Sequence, residues 1–505
     1  MRGLYSSKTK IRHQIFTEIA RLAYSDTDPA EGIEHLPYKI LPGEIATYRD
    51  SIFLERAVVG ERVRVAMGMS LRDVSQQAPL SEGVEASAIE EKYYEPPLIN
   101  VIKFACNSCA EKKVLVTEGC QGCIEHPCIE VCPKKTIYMK DGHSHIHQED
   151  CIKCGKCVEA CPYNAIIKQE RPCSKACGVG AIKSDEYGRA EIDQDKCVSC
   201  GQCLVSCPFS AIVDKGQIYQ TIQAIKSDTP VYAIVAPAIA GQFAGLKNTQ
   251  IRPAFKALGF TSIREVAIGA DLCTLQEAQD FLDEVPEKIP FMGTSCCPSW
   301  SMMVKKNFPD QAKCISMALT PMVLTARLIK QKEPDCKIVF VGPCAAKKLE
   351  ASRRTIRSYV DFVLTFEELD GMFEAKGVDF STLPEEEPLA RASSDGRGFA
   401  ASGGVAAAVV KAIKHIDPDK EVKVVNADGL ANCKKMVAAA KAGKYDGYLL
   451  EGMACPGGCI AGAGTIANPK TSGVALNKMM SEAAFEECID TKYQERLAAL
   501  EHLDL

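Results

Sequence analysis

The sequence predicts a two-lobed α/β fold, with mixed or parallel sheets flanked by helices, behind small cysteine-rich modules and a helical N-terminal segment. Three observations carry this prediction. Strand and helix patterns alternate over residues 216–505. Short, repeated cysteine spacings fill residues 101–215, and residues 1–100 contain no cysteine but show apolar residues at helical spacing.

A chain of 505 residues exceeds one ordinary domain, and length alone suggests two to four; the cysteine distribution divides it into three portions, 1–100, 101–215 and 216–505. The composition, 46% hydrophobic and 25% charged, is that of a globular protein. A net charge of -5 excludes the basic footprint of a nucleic-acid binder. The 26 cysteines are the anomaly. A secreted disulfide scaffold would be short and would follow a signal peptide, whereas MRGLYSSKTKIRHQIF has no apolar core and no twin arginine. The longest charge-free apolar run, Val231 to Leu246, is too short for a bilayer and contains Pro237. The expectation is a cytoplasmic chain with no membrane span and reduced thiols, in which clustered cysteines signal metal.

Within residues 1–100, Ile11–Tyr24 and Ser51–Val65 read as helices. Pro37, Pro42, Pro96 and Pro97 punctuate the segment, and Tyr94–Pro97 reads as a linker. No chemistry is legible here; a helical cover or a docking module is the expectation. After residue 216, Val231–Val235, Lys337–Val341 and Tyr448–Leu450 read as short buried strands. Val405–His415 and Ala431–Ala442 read as helices.

Sixteen cysteines lie between residues 101 and 213. Cys151, Cys154, Cys157 and Cys161 follow C-x2-C-x2-C-x3-C-P, and Cys197, Cys200, Cys203 and Cys207 repeat it. This is the bacterial ferredoxin run: three thiolates wrap one [4Fe-4S] cube and the fourth reaches its neighbour. Cys120, Cys123, Cys128 and Cys132 form a variant with two extra residues. By the crossing rule, one cluster takes Cys120, Cys123, Cys128 and Cys161, and a second takes Cys151, Cys154, Cys157 and Cys132. Cys106 and Cys109, joined to Cys173 and Cys177, form a split half-motif. It yields a third cluster on Cys106, Cys109, Cys173 and Cys207 and a fourth on Cys197, Cys200, Cys203 and Cys177. The region is thus expected to be α+β and ferredoxin-like, one module nested in another. Structural zinc is the competing reading, most of all for the Cys106/Cys109 and Cys173/Cys177 set. His143, His145 and His147 alternate as one face of a small strand would, more than as a metal box. Four cubes in a row conduct single electrons, which implies a redox site further along the chain.

Three cysteine-bearing turns follow apolar strands there: TSCCPSW from Thr294 after Pro290–Met292, GPCAAKK from Gly342, and EGMACPGGC from Glu451. Strand-turn-helix units put such loops at the carboxyl ends of parallel strands. Gly457, Gly458, Gly462 and Gly464 allow close backbone approach.

These motifs resemble the three signatures of [FeFe]-hydrogenases, TSCCPxW, PCxxKxxE and ExMxCxxGCxxGxG, with Glu350 at the acidic position of the second. The resemblance spans residues 101–505. It implies that Cys297, Cys344, Cys455 and Cys459 hold the cubane of an H-cluster. Cys459 would bridge to a two-iron subcluster carrying CO, CN and azadithiolate. Lys347 then faces one cyanide, Ala236, Pro237 and Ala238 form the loop near the other, and Met453 packs against the two-iron unit. Cys296 is the implied proton donor, with Glu277, Ser316 and Asp280 leading outward. Gln276–Glu284 reads helical and puts Glu277, Asp280 and Glu284 on one face, for which a solvated acidic face is the plain alternative. The resemblance implies reversible H2 oxidation and proton reduction, a ferredoxin or flavodoxin partner, and an anaerobic setting. A hydrogen sensor would dispense with Cys296, and an assembly protein of this family would lack an intact first motif. Three departures are visible: Gly342 for a common methionine, Glu284 for an arginine, and Ser299 for glycine or alanine. Cys273, Cys314, Cys336, Cys433 and Cys488 fit no motif and read as buried apolar residues.

Overall fold

The computed structural model describes residue 3, residues 5–353, 358–389, 391–497 and residue 500. Two all-parallel sheets organise the second half. In the first, Ser262–Glu265, Val231–Val235, Lys337–Gly342 and Phe362–Thr365 lie side by side in that order, with Val341 opposite both Val235 and Leu364. In the second, Tyr448–Met453 lies between Met292–Gly293 and Lys423–Asp428. The largely apolar central strands Val231–Val235 and Lys337–Gly342 fit a parallel sheet covered on both faces.

The 18-residue helix Ala267–Glu284 packs against Pro321–Lys330 and against Gly404–Ile416, so it spans the seam between the lobes. The strand expected at Pro290–Met292 is Met292–Gly293. The other three expected strands form, as do the helices expected at Val405–His415 and Ala431–Ala442, with ends shifted by three residues at most.

Four loops leave the carboxyl ends of these strands toward one place: those after Val235, Gly293, Gly342 and Met453. Their approach is close enough to require glycine. A Cβ on Gly462 would stand 2.4 Å from the Pro343 carbonyl oxygen, and the Gly464 N–H donates to that same oxygen at 2.8 Å. The third cysteine loop is thereby fastened to the second.

In the cysteine-rich portion, Ile99–Val101 pairs antiparallel with Ile212–Asp214, and inside that closure Lys113–Val116 pairs antiparallel with Ile166–Gln169. One α+β unit therefore sits within another. His143–Ile146 is a strand paired with Ile137–Lys140, and the Tyr138 ring stacks on His145 and His147.

The N-terminal helices Ser7–Tyr24, Pro29–Ile40 and Ile52–Ala66 share one apolar core with the first sheet. Ser7–Tyr24 packs on Phe366–Lys376 and Ile218–Lys226. Pro37 does not punctuate: it lies buried inside Pro29–Ile40. Only one backbone donor is lost there, three residues before the helix ends, and the Pro37 carbonyl still accepts from Leu41 N–H at 3.0 Å.

Candidate metal centre and proton path

A cavity of about 90 Å³ lies where the four loops meet. Cys297, Cys344, Cys455 and Cys459 line it, with Cys296, Lys347, Met453, Ala236, Pro237 and Ala238. The rest of its wall is largely apolar and includes Phe340, Met322 and Phe399. Burial pushes the Cys344 thiol up to about 11 and raises Cys297, Cys455 and Cys459 as well; neighbouring thiolates add to this for Cys344, Cys455 and Cys459. Four soft donors in so dry a place need a cationic centre before they can ionise together. An iron–sulfur cube fits that donor set.

Lys347 is the cation on the wall. Its Nζ donates to Glu350 Oε2 at 2.6 Å and to Thr320 Oγ1 at 3.3 Å, and Thr320 Oγ1 donates to Glu350 Oε1 at 2.6 Å. Burial works against the ammonium, but Glu350 outweighs it and the net shift is upward. The lysine therefore stays charged beside an apolar cavity.

Behind the first motif, the fully buried Glu277 accepts the Ser295 N–H on Oε1 at 2.6 Å, while its Oε2 has no hydrogen-bond partner. Burial, reinforced by Asp280 and Glu451, pushes Glu277 up to about 7. Burial also raises Cys296, with Glu277 the next largest cause. Further out, Ser316 Oγ donates to Asp280 Oδ2 at 3.5 Å. Glu284 is half-buried at the helix end.

The accessory cysteines fall into sets. One cavity is lined by Cys132, Cys151, Cys154 and Cys157, another by Cys106, Cys109, Cys173 and Cys207. Cys200, Cys197 and Cys177 all bear on Cys203. Cys120 accepts the Ser144 N–H at 3.4 Å, the Ser144 hydroxyl lies 3.4 Å from Cys128 Sγ, and Cys161 packs in the same apolar cluster as Cys128. Cys123 is half-buried beside Gly122, which meets the Gly142 carbonyl closely. Burial works against the Cys120 thiolate, but the Ser144 and Gly122 N–H groups and the nearby His143 outweigh it and the net shift is downward, a proximity the alternation did not signal. The sets run inward: Cys173 bears on Cys203, Cys200 lines the central cavity, and Gln202 Nε2 lies 3.3 Å from Cys455 Sγ.

Two departures have physical reasons. A side chain on Gly342 would meet the Phe340 ring at 2.4 Å, so an aromatic from the same strand fills that space. Ser299 Oγ donates to the Val198 carbonyl at 3.0 Å and ties the first motif to the Cys197–Cys203 loop. Cys273, one helical turn before Glu277, is fully buried as its apolar setting predicts, and its sulfur also lies 3.7 Å from the Ser295 hydroxyl. The role of Glu451 was missed, although it opens the third motif. It accepts from Gly403 N–H at 2.7 Å and Ala406 N–H at 2.8 Å, capping Gly404–Ile416.

Fold and site together define a multi-cluster iron–sulfur protein. Residues 229–463 match the family described as iron only hydrogenase large subunit, C-terminal domain, and residues 145–167 and 189–212 each match a 4Fe-4S binding domain. The chain is [FeFe]-hydrogenase-like, and divergent. It is 28% identical over 365 residues to the NADP-reducing hydrogenase subunit HndD of Solidesulfovibrio fructosivorans, covering 62% of this chain and 55% of that one. It is 28% identical over 390 residues to iron hydrogenase 1 of Clostridium pasteurianum, covering 66% and 67%. It is also 28% identical over 277 residues to cytosolic iron-sulfur assembly component 3 of Mus musculus, covering 44% and 58%. The chain thus spans little more than half of HndD. No helix among the described residues is long and apolar enough to cross a membrane.

Proposed function

We propose that this protein is a cytoplasmic [FeFe]-hydrogenase that interconverts H2 with protons and electrons and exchanges the electrons with a ferredoxin or flavodoxin. The observation carrying this reading is the meeting of Cys297, Cys344, Cys455 and Cys459 on one cavity, with Cys296 and Lys347 on its wall. In this reading those four thiolates hold the H-cluster cubane, and the sixteen accessory cysteines hold four [4Fe-4S] clusters. The two-iron subcluster, when bound, supplies the redox chemistry of hydrogen.

The chain's own residues bind, orient and move protons. Lys347, kept charged by Glu350, presents its ammonium to an anionic ligand. Ala236–Ala238 and Met453 line the cavity and would exclude water from the bound group. Cys296 holds a proton as a neutral thiol where a carboxylate would be too costly to charge. Glu277 resupplies it from within, and Asp280 and Ser316 link that carboxyl toward the surface.

A second reading, an iron–sulfur assembly factor, draws on the mouse relative. Infrared spectroscopy on maturated protein separates the two. A hydrogenase shows CO and CN stretching bands and contains about twenty-two irons per chain, counting five cubes and a two-iron unit. Absence of those bands removes the hydrogenase reading.

A further inference from the structure

The N-terminal helices reach one cysteine set with three cations. Lys8 Nζ donates to the carbonyls of Leu204 at 2.7 Å, Val205 at 3.0 Å and Cys207 at 2.9 Å. Arg62 Nη2 donates to the carbonyls of Phe209 at 3.2 Å and Ser210 at 2.9 Å. Arg49 Nη2 donates to the Ala105 carbonyl at 2.7 Å, and its guanidinium lies 5.5 Å from the Phe209 ring centroid. From the opposite side, buried Arg171 donates to the Cys109 carbonyl at 2.9 Å and the Gly188 carbonyl at 2.7 Å. Every ligand loop of the Cys106, Cys109, Cys173 and Cys207 cavity is therefore touched, or flanked, by a cation.

None of these four cations forms an ion pair among the described residues. Carbonyl dipoles satisfy the donors, but they do not cancel the charge. Holding cations at partly or fully buried positions without a paired anion is costly; Glu367 offsets part of this for Lys8, and the thiolate set is the anion the cations share. The Cys207 thiolate already acts on both Lys8 and Arg62. The outer pair differs in how its cations sit. Lys134 and Lys156 line the Cys132, Cys151, Cys154 and Cys157 cavity, but both are exposed, as is Cys154, so water and salt screen them. Among the described residues, no lysine or arginine side chain donates to the loops Cys120–Cys132 or Cys151–Cys161.

We propose that Lys8, Arg49 and Arg62 make the N-terminal segment the electrostatic holder of the Cys106/Cys109/Cys173/Cys207 site, fixing its loops and raising the reduction potential of the cluster there above those of the outer pair. This rests on the four-cluster reading above. A cube with four thiolates gains one negative charge when it takes up one electron, so nearby cations favour its reduced form. An electron arriving from the outer pair then runs downhill to this site and is retained beside the Cys177/Cys197/Cys200/Cys203 set. The three side chains are positioning residues; they touch the loops and not the cluster.

The test is a redox titration followed by electron paramagnetic resonance on full-length, iron-loaded protein, comparing wild type with Lys8→Met, Lys8→Arg and Arg62→Gln. In Lys8→Met and Arg62→Gln, one accessory midpoint should fall while the others hold. The expected change is on the order of tenfold in the oxidised-to-reduced ratio at fixed potential, about 59 mV for one electron. Lys8→Arg should keep the wild-type value. If Lys8→Met loses iron, the Arg62→Gln midpoint makes the same decision. Unmoved midpoints in fully loaded variants overturn the inference alone. Wild-type protein without the iron of four accessory cubes overturns the cluster reading beneath it.

Discussion

Glu277 accepts the backbone N–H of Ser295 at 2.6 Å, and Ser295 is the residue immediately before Cys296. One carboxyl oxygen thus fixes the turn that presents the thiol, while the other, Oε2, lacks a partner in a buried position. A buried acid with one oxygen anchored and one unsatisfied is arranged to hold a proton.

The first prediction concerns that proton. Glu277→Gln keeps an acceptor for Ser295 N–H but cannot relay, so H2 turnover should fall by roughly 10²- to 10⁴-fold with the infrared bands intact. Retained turnover in steady-state assays would remove Glu277 from the path.

The same group predicts a pH effect on stability. Its folded value, about 7, lies above the ordinary 4.5, so the native state holds a proton that the unfolded chain has released. This contribution is fully present below pH 4.5 and is lost as pH rises toward 7. Glu277→Gln should flatten that slope by on the order of 3 kcal/mol. Urea unfolding midpoints at pH 5 and pH 8 measure it, and an unchanged slope refutes the assignment.

Cys296→Ala should leave iron content and CO and CN bands in place, because this thiol is not among the four proposed ligands. Turnover should nearly vanish. Loss of the bands themselves would mean that Cys296 is a ligand, and the proposed ligand set would have to be redrawn.

The Lys347–Glu350 pair is buried, with side chains 11% and 2% exposed. Lys347→Met leaves Glu350 charged and without its cation, at a cost of about 3–5 kcal/mol. Adding Glu350→Gln should recover most of that loss. Thermal melts of the single and double variants give the coupling, and additive losses would contradict it.

Gly452→Ala would place a Cβ 2.2 Å from Trp300, whose indole N–H donates to the Thr294 carbonyl at 3.1 Å. The clash should cost about 1–3 kcal/mol and disturb the first and third cysteine loops together. Iron content and melting temperature should fall in parallel; a normal melt with full iron would show the wall to be soft.

Much of this arrangement was legible in advance. Val231–Val235 and Ile338–Val341 declare themselves as apolar runs, and such runs form buried parallel strands. The cysteine motifs were readable because ligand spacing is a local property. Pro37 misled because a proline breaks a helix only where its missing N–H and its ring conflict with the preceding turn, and three residues from a helix end that conflict is small. Cys273 is buried in the apolar core as expected; its contact with the Ser295 hydroxyl was not legible, because a thiol in an apolar context reads the same whether or not a hydroxyl from a distant loop lies against it.

The sequence by itself determined which residues are candidate donors, how they group along the chain, and that strands precede each cysteine turn. These features depend on spacing and periodicity within a few residues. Only the tertiary structure decided that the loops after Val235, Gly293, Gly342 and Met453 meet on one cavity, that Glu350 keeps Lys347 charged, and that Lys8, Arg49 and Arg62 reach the loop carbonyls next to the Cys106 set. Those relationships join residues up to hundreds of positions apart. They are set by how the two parallel sheets and the N-terminal helices share their buried faces, and no local pattern encodes that.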